Sequence, residues 1–460
     1  MKNLITGVYL LMIAVCSIAC KKSDFLDKKP LTSITTPTTI TDFQELLDNT
    51  NVMNQTGGLG QVSCDDYFVS YATWQTATAT ERNGYIWAKD IYGGDVAIRD
   101  WNYPYQQVFV ANNVLENLAK SDSVNSSQGQ FIKGWALFSR AFAFYDLTRT
   151  FCKAFDQSTA STDLGIPLRL KSGIDYTLPR STLQQAFDQI FSDLSTALPL
   201  LPDGRQSNNL NRPSKLAVYA LLARIYLDMR DYTNAEANAD KSLTIYNKLI
   251  DYNTISKTAT TPFSARNDEL IFNAHQVSDY IEMTVTSATA SDRVSMDLIN
   301  TYASNDLRLP IYFAKGSDGT YARKRGYYGS GGFAFTGLAT DELYLIKAEC
   351  LARRGQTSSA MAELNQLLIK RYSSAITYVP LNASDATQAL SIILTERRKE
   401  LPWRGLRWSD LKRFNAGGAN ISLSRTLNGT TYTIAPNSPL YVLPIPNDEI
   451  ALSGIQQNLR

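Results

Sequence analysis

The sequence predicts a mainly α-helical fold: tetratricopeptide-like helix pairs in a right-handed superhelical scaffold, with long irregular loops and a few short strands. Three observations lead there. Apolar residues recur at three- and four-residue spacing over several long stretches. Related helix-pair patterns return along the chain. Hydrophobic residues make up 44% of the 460 residues against 19% charged, enough apolar surface for a large core.

Taken in order, Met1–Cys20 (MKNLITGVYLLMIAVCSIAC) puts one early lysine before an apolar run from Leu4 to about Val15. That run is shorter than the roughly 20 residues a membrane-spanning helix needs, and it fits the apolar centre of a secretory leader. Ser17-Ile18-Ala19-Cys20 has the form of a bacterial lipobox. A leader is therefore expected over 1–19, a lipidated Cys20, and a polar tether over 20–40. Each buried acyl CH₂ stabilises such an anchor by about 0.8 kcal/mol, and two or more chains make it stable. Cys64, Cys152 and Cys350 remain. Three thiols allow at most one disulfide, so the body must rely on its core. No later stretch approaches the length of an uninterrupted apolar span.

The body, 41–460, is expected to be one helical domain, in parts of about 41–250 and 260–460. Thr41-Asp42 can cap a helix carrying Phe43, Leu46 and Leu47 on one face. Residues 50–100 look irregular, with Gly57-Gly58, Gly60 and Gly93-Gly94. Trp101–Leu118, Gly134–Phe151 and Ser181–Leu198 carry helical apolar stripes. Pro213–Lys248 places Tyr219, Leu222, Ala223, Tyr226, Tyr232, Ala235 and Ala239 at tetratricopeptide offsets. Its small residues let two helices approach, and its rings fill the groove to the next pair. Asp341–Tyr372 echoes it, and Gly134–Phe144 with Ser181–Leu198 forms a third pair opened by an insertion at about 152–180. Between them, Glu269–Phe272 reads as a strand and Gly326–Gly332 as a Gly/Tyr-rich loop.

Charge and composition exclude some functions. Lys+Arg is 45 against Asp+Glu 43, without the basic excess of a nucleic-acid protein. The one histidine, His275, excludes a His-rich metal site and leaves a Ser–His–Asp or Cys–His enzyme a single residue to build on. No metal or cofactor is expected. Glu396, Arg397, Glu400 and Arg407 look catalytic at first glance, but carboxylates and arginines spaced along one helix face pair with each other. They read as a network clamping the last helices against the repeats.

Amphipathic rings are abundant, with 25 Tyr, 18 Phe and 6 Trp. Flat rings with a polar handle suit a ligand that offers C–H faces ringed by hydroxyls. Residues 65–92 have that composition, with Asp65, Asp66, Tyr67, Tyr71, Trp74, Gln75, Arg82, Asn83, Tyr85, Trp87 and Tyr92. Tyr280, Tyr321, Arg323, Arg325, Tyr327 and Tyr328 make a second patch. The ligand-binding residues expected from these are Trp74, Trp87, Tyr85, Tyr71, Asn83, Arg82, Tyr280 and Tyr327, on two loops that converge. Trp101, Trp135, Trp403 and Trp408 are expected in the core.

In chain order, several segments carry a family resemblance. After the lipobox comes Phe25-Leu26-Asp27-Lys28-Lys29-Pro30. Then follow Trp101-Asn102-Tyr103-Pro104-Tyr105 through Asn112-Asn113, Leu178-Pro179-Arg180-Ser181 to Leu201-Pro202, and Asn211-Arg212-Pro213-Ser214-Lys215. Asp306-Leu307-Arg308 and Asp341–Glu349 come next, then Glu396–Leu401 with Gly405–Arg413, and Leu443–Ile450. Together they resemble the SusD/RagB family of outer-membrane nutrient-binding lipoproteins over nearly the whole chain. The end, Ser453–Arg460, lacks the family's usual finish, and 66–100 follows no family motif. The resemblance implies a non-enzymatic, lipid-anchored protein on the extracellular side of the outer membrane. It would bind a glycan and deliver it to a SusC-like TonB-dependent transporter, acting as its lid. Peptide capture of the RagB kind, which Arg323, Lys324 and Arg325 would serve, stays open beside it. So do a helical glycoside hydrolase with inward carboxylates and a repeat scaffold.

Overall fold

Thr39 starts the helical body. In the computed structural model, which describes residues 37–460, its hydroxyl accepts from Asp42 N (3.2 Å) while its own N–H donates to the Asp42 carboxylate (2.9 Å). This reciprocal capping box begins helix α1 at Ile40–Asp48, one residue ahead of the Thr41-Asp42 start expected from sequence. The unit that α1 opens runs over Thr39–Arg460. The leader, Cys20 and nearly all of the tether lie outside the described residues.

The stretch read as irregular holds short elements: β1 (Gln55–Thr56), α2 (Leu59–Ser63), β2 (Tyr67–Phe68), α3 (Tyr71–Thr76) and α4 (Ala79–Tyr85). The helical pairs follow. Helix α5 (Arg99–Leu118) packs on α6 (Ser127–Phe151), and α6 packs on α7 (Leu183–Ala197). Nearly every α6 side chain from Gly134 to Phe151 is buried, as expected of a helix apolar all round. Helices α8 (Lys215–Asp228) and α9 (Tyr232–Ile245) form the next pair, capped by Ser214 and Asp231. Ala223 and Ala235 are fully buried, and Tyr226 stacks on Phe191 of α7 at 4.9 Å, a ring filling the groove between neighbouring pairs.

An irregular region then carries β3 (Leu270–Phe272), β4 (His275–Gln276), the short helices α10 (Ile281–Thr284), α11 (Met296–Ile299) and α12 (Arg308–Tyr312), and β5 (Arg293–Val294), β6 (Phe313–Lys315), β7 (Tyr321–Arg323) and β8 (Leu338–Ala339). The third pair is α13 (Thr340–Arg353) and α14 (Thr357–Leu368). After it come α15 (Ala386–Glu400), α16 (Arg407–Ala416), the hairpin β9 (Leu423–Leu427) and β10 (Thr430–Ile434), and α17 (Asn447–Ser453). The hairpin turns on Asn428-Gly429, both at positive φ (48° and 79°), as a two-residue turn requires. Among the described residues the sheets are two-stranded: β1–β4 parallel, and β2–β5, β3–β8, β6–β7 and β9–β10 antiparallel. None of the described helices is long and apolar enough to cross a membrane. The divergent tail is docked: Asn458 Nδ2 donates to the carbonyls of Phe151 and Leu443, and its Oδ1 accepts from Arg180.

Trp101, Trp135, Trp403 and Trp408 are buried, as are Cys64, Cys152 and Cys350, all three as free thiols. The four residues that looked catalytic are ion-paired. Arg308 holds Asp306 (2.7 Å), Glu396 (2.5 Å) and Glu400 (3.1 Å). Arg371 bridges Glu400 (2.7 Å) and Glu269 (2.6 Å). Arg397 and Arg413 share Asp410, Arg413 reaches Glu349 (2.6 Å), and Arg224 takes Glu342 (2.6 Å). These contacts tie α15 and α16 to α8 and α13. Arg407 pairs with Asp65 instead (2.7 Å). Removing one member leaves a buried charge without its partner, so Arg308→Leu should lower unfolding free energy by about 3–5 kcal/mol in chemical denaturation. Lys370→Ala, which breaks an exposed pair with Asp251 (3.5 Å), should cost under about 1 kcal/mol. Comparable losses in the two variants would refute the buried network as the clamp.

Candidate ligand-binding surface

The expected ring platform divides in two when traced residue by residue. On α3, Tyr71 is 39% exposed and stacks on half-buried Trp74, with centroids 5.7 Å apart and planes 17° apart. Trp74 Nε1 donates to the Arg82 carbonyl (3.0 Å), and the Arg82 guanidinium lies 5.9 Å from the indole centroid. The Arg82 side chain is fixed in turn by the Ala77 carbonyl (2.8 Å). Asn83 is half-buried on the same short helix, α4. Four of the eight expected residues, Tyr71, Trp74, Arg82 and Asn83, thus share one surface segment. Two short capped helices hold it: Ser70 caps α3, and Thr78 caps α4 through a reciprocal box with Glu81.

The other four do not face solvent, and this corrects the sequence reading. Tyr85 (2% exposed) and Trp87 (4%) are clasped by Arg425 of β9, whose guanidinium lies 4.0 Å from the tyrosine ring and 4.8 Å from the indole and donates to the carbonyls of Tyr85 and Cys64. Trp87 Nε1 donates to the Ser63 carbonyl (2.9 Å), and its ring packs with Trp408, Leu411, Leu423, Ile434 and Tyr441. Its polar sequence neighbours gave no sign of this, because the apolar partners come from the far end of the chain. Tyr280 is buried with its hydroxyl donating to Asp100 Oδ2 (2.5 Å). Tyr327 is buried with its hydroxyl donating to Glu269. Aromatic rings with satisfied hydroxyls in a closed core have no polar handle left for a ligand.

The two loops meet only in part. Strand β2 pairs with β5, and β5 packs against β7, so the first loop does reach Tyr321–Arg323. In the Gly-rich segment, Tyr328 stacks on His275 (5.8 Å, 19°), so the histidine is a packing residue. The sequence reading missed Phe68 (38% exposed) and Ile281, apolar side chains exposed on β2, which leads into α3, and on α10, which packs against it. A strand alternating in-out would have placed Phe68 outward opposite buried Tyr67, but two residues give too short a pattern to read. The cations offered for peptide capture are largely withdrawn: Arg323 donates to the Pro402 carbonyl and Lys324 to those of Lys257 and Pro310, both side chains in buried positions.

The chain belongs to the SusD/RagB family. A family described as "Starch-binding associating with outer membrane" matches residues 24–227, and one described as "SusD family" matches 231–459. A SusD-like protein P2 of Formosa agariphila is 25% identical over 409 residues, covering 76% of this chain and 77% of that one. The fold is similar to the crystal structure of a SusD superfamily protein from Bacteroides thetaiotaomicron (TM-score 0.73, 21% identity, 92% of this chain and 100% of that one). It is also similar to a putative sugar binding protein from Bacteroides vulgatus (TM-score 0.72, 20% identity, 92% and 99%).

The loop is anchored through Asp100, which also explains the loss of Tyr280. Its carboxylate accepts from Gly58 N (2.6 Å) and Leu59 N (2.8 Å). A Cβ on Gly57 would sit 2.5 Å from that carboxylate, so the turn needs glycine there. Burial pushes the carboxyl up to about 7 from its ordinary 3.8, although the three hydrogen bonds act downward. The folded chain therefore keeps a proton that the unfolded chain releases above about pH 4, and stability falls as pH rises from about 4 to about 7. Asp100→Asn can keep the same partners without that proton. Relative to wild type it should gain up to about 4 kcal/mol between about pH 4 and pH 8. Denaturation curves at the two pH values check this; an equal offset at both would contradict it.

Proposed function

We propose that this protein is a cell-surface lipoprotein of the outer membrane, anchored through Cys20 behind a leader over 1–19 and a tether over 20–40. Its single helical body captures a glycan and delivers it to a SusC-like TonB-dependent transporter, for which it acts as the lid. It works by binding and not by catalysis. Family membership and the likeness to a protein named a putative sugar binding protein support the reading. The observation that carries it is the exposed Tyr71–Trp74 stack with Arg82 behind it. A hexose lays its C–H face on such a ring while its rim hydroxyls reach amide and guanidinium donors. Burial of the Glu396–Glu400 pair within arginine contacts leaves those carboxylates to the scaffold, which weighs against the hydrolase alternative.

Tyr71→Ala/Trp74→Ala should keep the overall fold, which circular dichroism checks, since exposed Tyr71 and half-buried Trp74 stand on a short helix with no fully buried side chain, and should weaken binding of the cognate neutral glycan by about tenfold or more in calorimetry. Unchanged affinity would remove the platform from the site. Cys20→Ser should release the protein from the membrane fraction, and wild type should co-purify with a barrel partner from detergent-solubilised membranes. A protein always recovered alone would count against the partnership.

A further inference from the structure

Away from the ring platform, a cavity of about 460 Å³ opens among α13, α15, α16 and the loop that follows α16. Every charged side chain lining it is an arginine: Arg353, Arg398, Arg407 and Arg413. Their neutralising carboxylates stand behind. Glu349 accepts from Arg353 Nε (2.9 Å) and from both terminal nitrogens of Arg413 (2.6 and 2.8 Å). Asp65 accepts from Nε and Nη2 of Arg407 (2.7 and 2.8 Å) and also pairs with Arg398 Nη2 (3.2 Å), while Asp66 accepts from Arg398 Nε (2.9 Å). Burial alone would raise the Asp65 carboxyl; Arg407 and then Arg398 outweigh it and hold it well below the usual carboxylate range.

These rear contacts use only part of each guanidinium. Nη1 of Arg398, Nη1 of Arg407 and both terminal nitrogens of Arg353 have no hydrogen-bond partner among the described residues. The three side chains come from three helices, and each is already oriented, so little rotamer freedom is lost when an anion takes the free edges. Beside them lies an apolar floor of Leu394, Phe414 and Ile421. A bare inorganic anion would leave that floor unused, and a neutral sugar would offer the free guanidinium N–H groups only uncharged acceptors. The volume falls in the range of small-ligand pockets.

We propose that this cavity is a subsite for a saccharide unit carrying an oxyanion, a uronate carboxylate or a sulfate ester, with the charge on Arg353, Arg398 and Arg407 and the ring C–H face on the floor. It rests on the glycan reading above and adds a place for charged units. The test uses calorimetry on the whole protein with trigalacturonate, its fully methyl-esterified form, a sulfated galactose trisaccharide and hexaglutamate. The variants are Arg353→Gln, Ser391→Glu and Tyr71→Ala/Trp74→Ala. Ser391 is exposed on α15 and lines the cavity, so its glutamate repels an anion without touching an arginine contact. Trigalacturonate or the sulfated sugar should bind, identifying the oxyanion. Esterification, Arg353→Gln and Ser391→Glu should each weaken binding by about tenfold or more, and added salt should weaken it further. The ring variant should leave it in place. Equal binding of acid and ester, insensitivity to both cavity variants, loss in the ring variant alone, preference for hexaglutamate, or no binding of either charged sugar would overturn the subsite. A neutral glycan bound by wild type and lost only in the ring variant leaves the platform reading standing in any of these cases.

Discussion

The interior of this protein is held by guanidinium groups closed on carboxylates where water does not reach. Arg308, with no exposed side-chain surface, faces Asp306, Glu396 and Glu400 at once, and Arg371 carries the chain of contacts from Glu400 to Glu269. Such groups are costly to bury and very costly to bury singly, so each member constrains the position of the next. Helices α15 and α16, which follow the last pair, are fixed in the same way against α13, through Arg397 on Glu342 and Arg413 on Glu349, and through Glu342 to Arg224 of α8. The planar fork of arginine suits this role, because one side chain can satisfy two or three acids that belong to different segments.

The two surfaces proposed for a ligand share one irregular loop. The short helices α3 and α4 have little core of their own, yet Trp74 is pinned by the Arg82 carbonyl and the segment's lower rings are gripped by Arg425. The same loop supplies Asp65 and Asp66, which orient Arg398 and Arg407. One stretch of irregular chain thus serves two surfaces, offering rings on one side and carboxylates that aim cations on another.

The scaffold was legible because its signals are local. Ala223, Tyr226 and Ala235 sit within one helix pair, and their spacing alone states that two helices touch and a ring fills the gap. Glu396 and Glu400 could be read as parts of a clamp for a similar reason: four-residue spacing puts both carboxylates on one helix face, where a single arginine of another segment meets them. The fate of single rings was not legible. Trp87 lies among polar neighbours in sequence and looks exposed, but its environment is made by Trp408, Leu423 and Tyr441. Tyr280 and Tyr327 were lost to acids, Asp100 and Glu269, that no short window contains. Tyr71 and Trp74 kept their exposed edge because they stand on a helix too short to bury both faces.

The grip of Arg425 on the Tyr85 carbonyl joins positions 340 residues apart. While the chain is being made, the early loop therefore waits, its rings uncovered, until the late hairpin emerges. Its final shape is among the last things the polypeptide acquires, because the contact that covers those rings closes a very long loop.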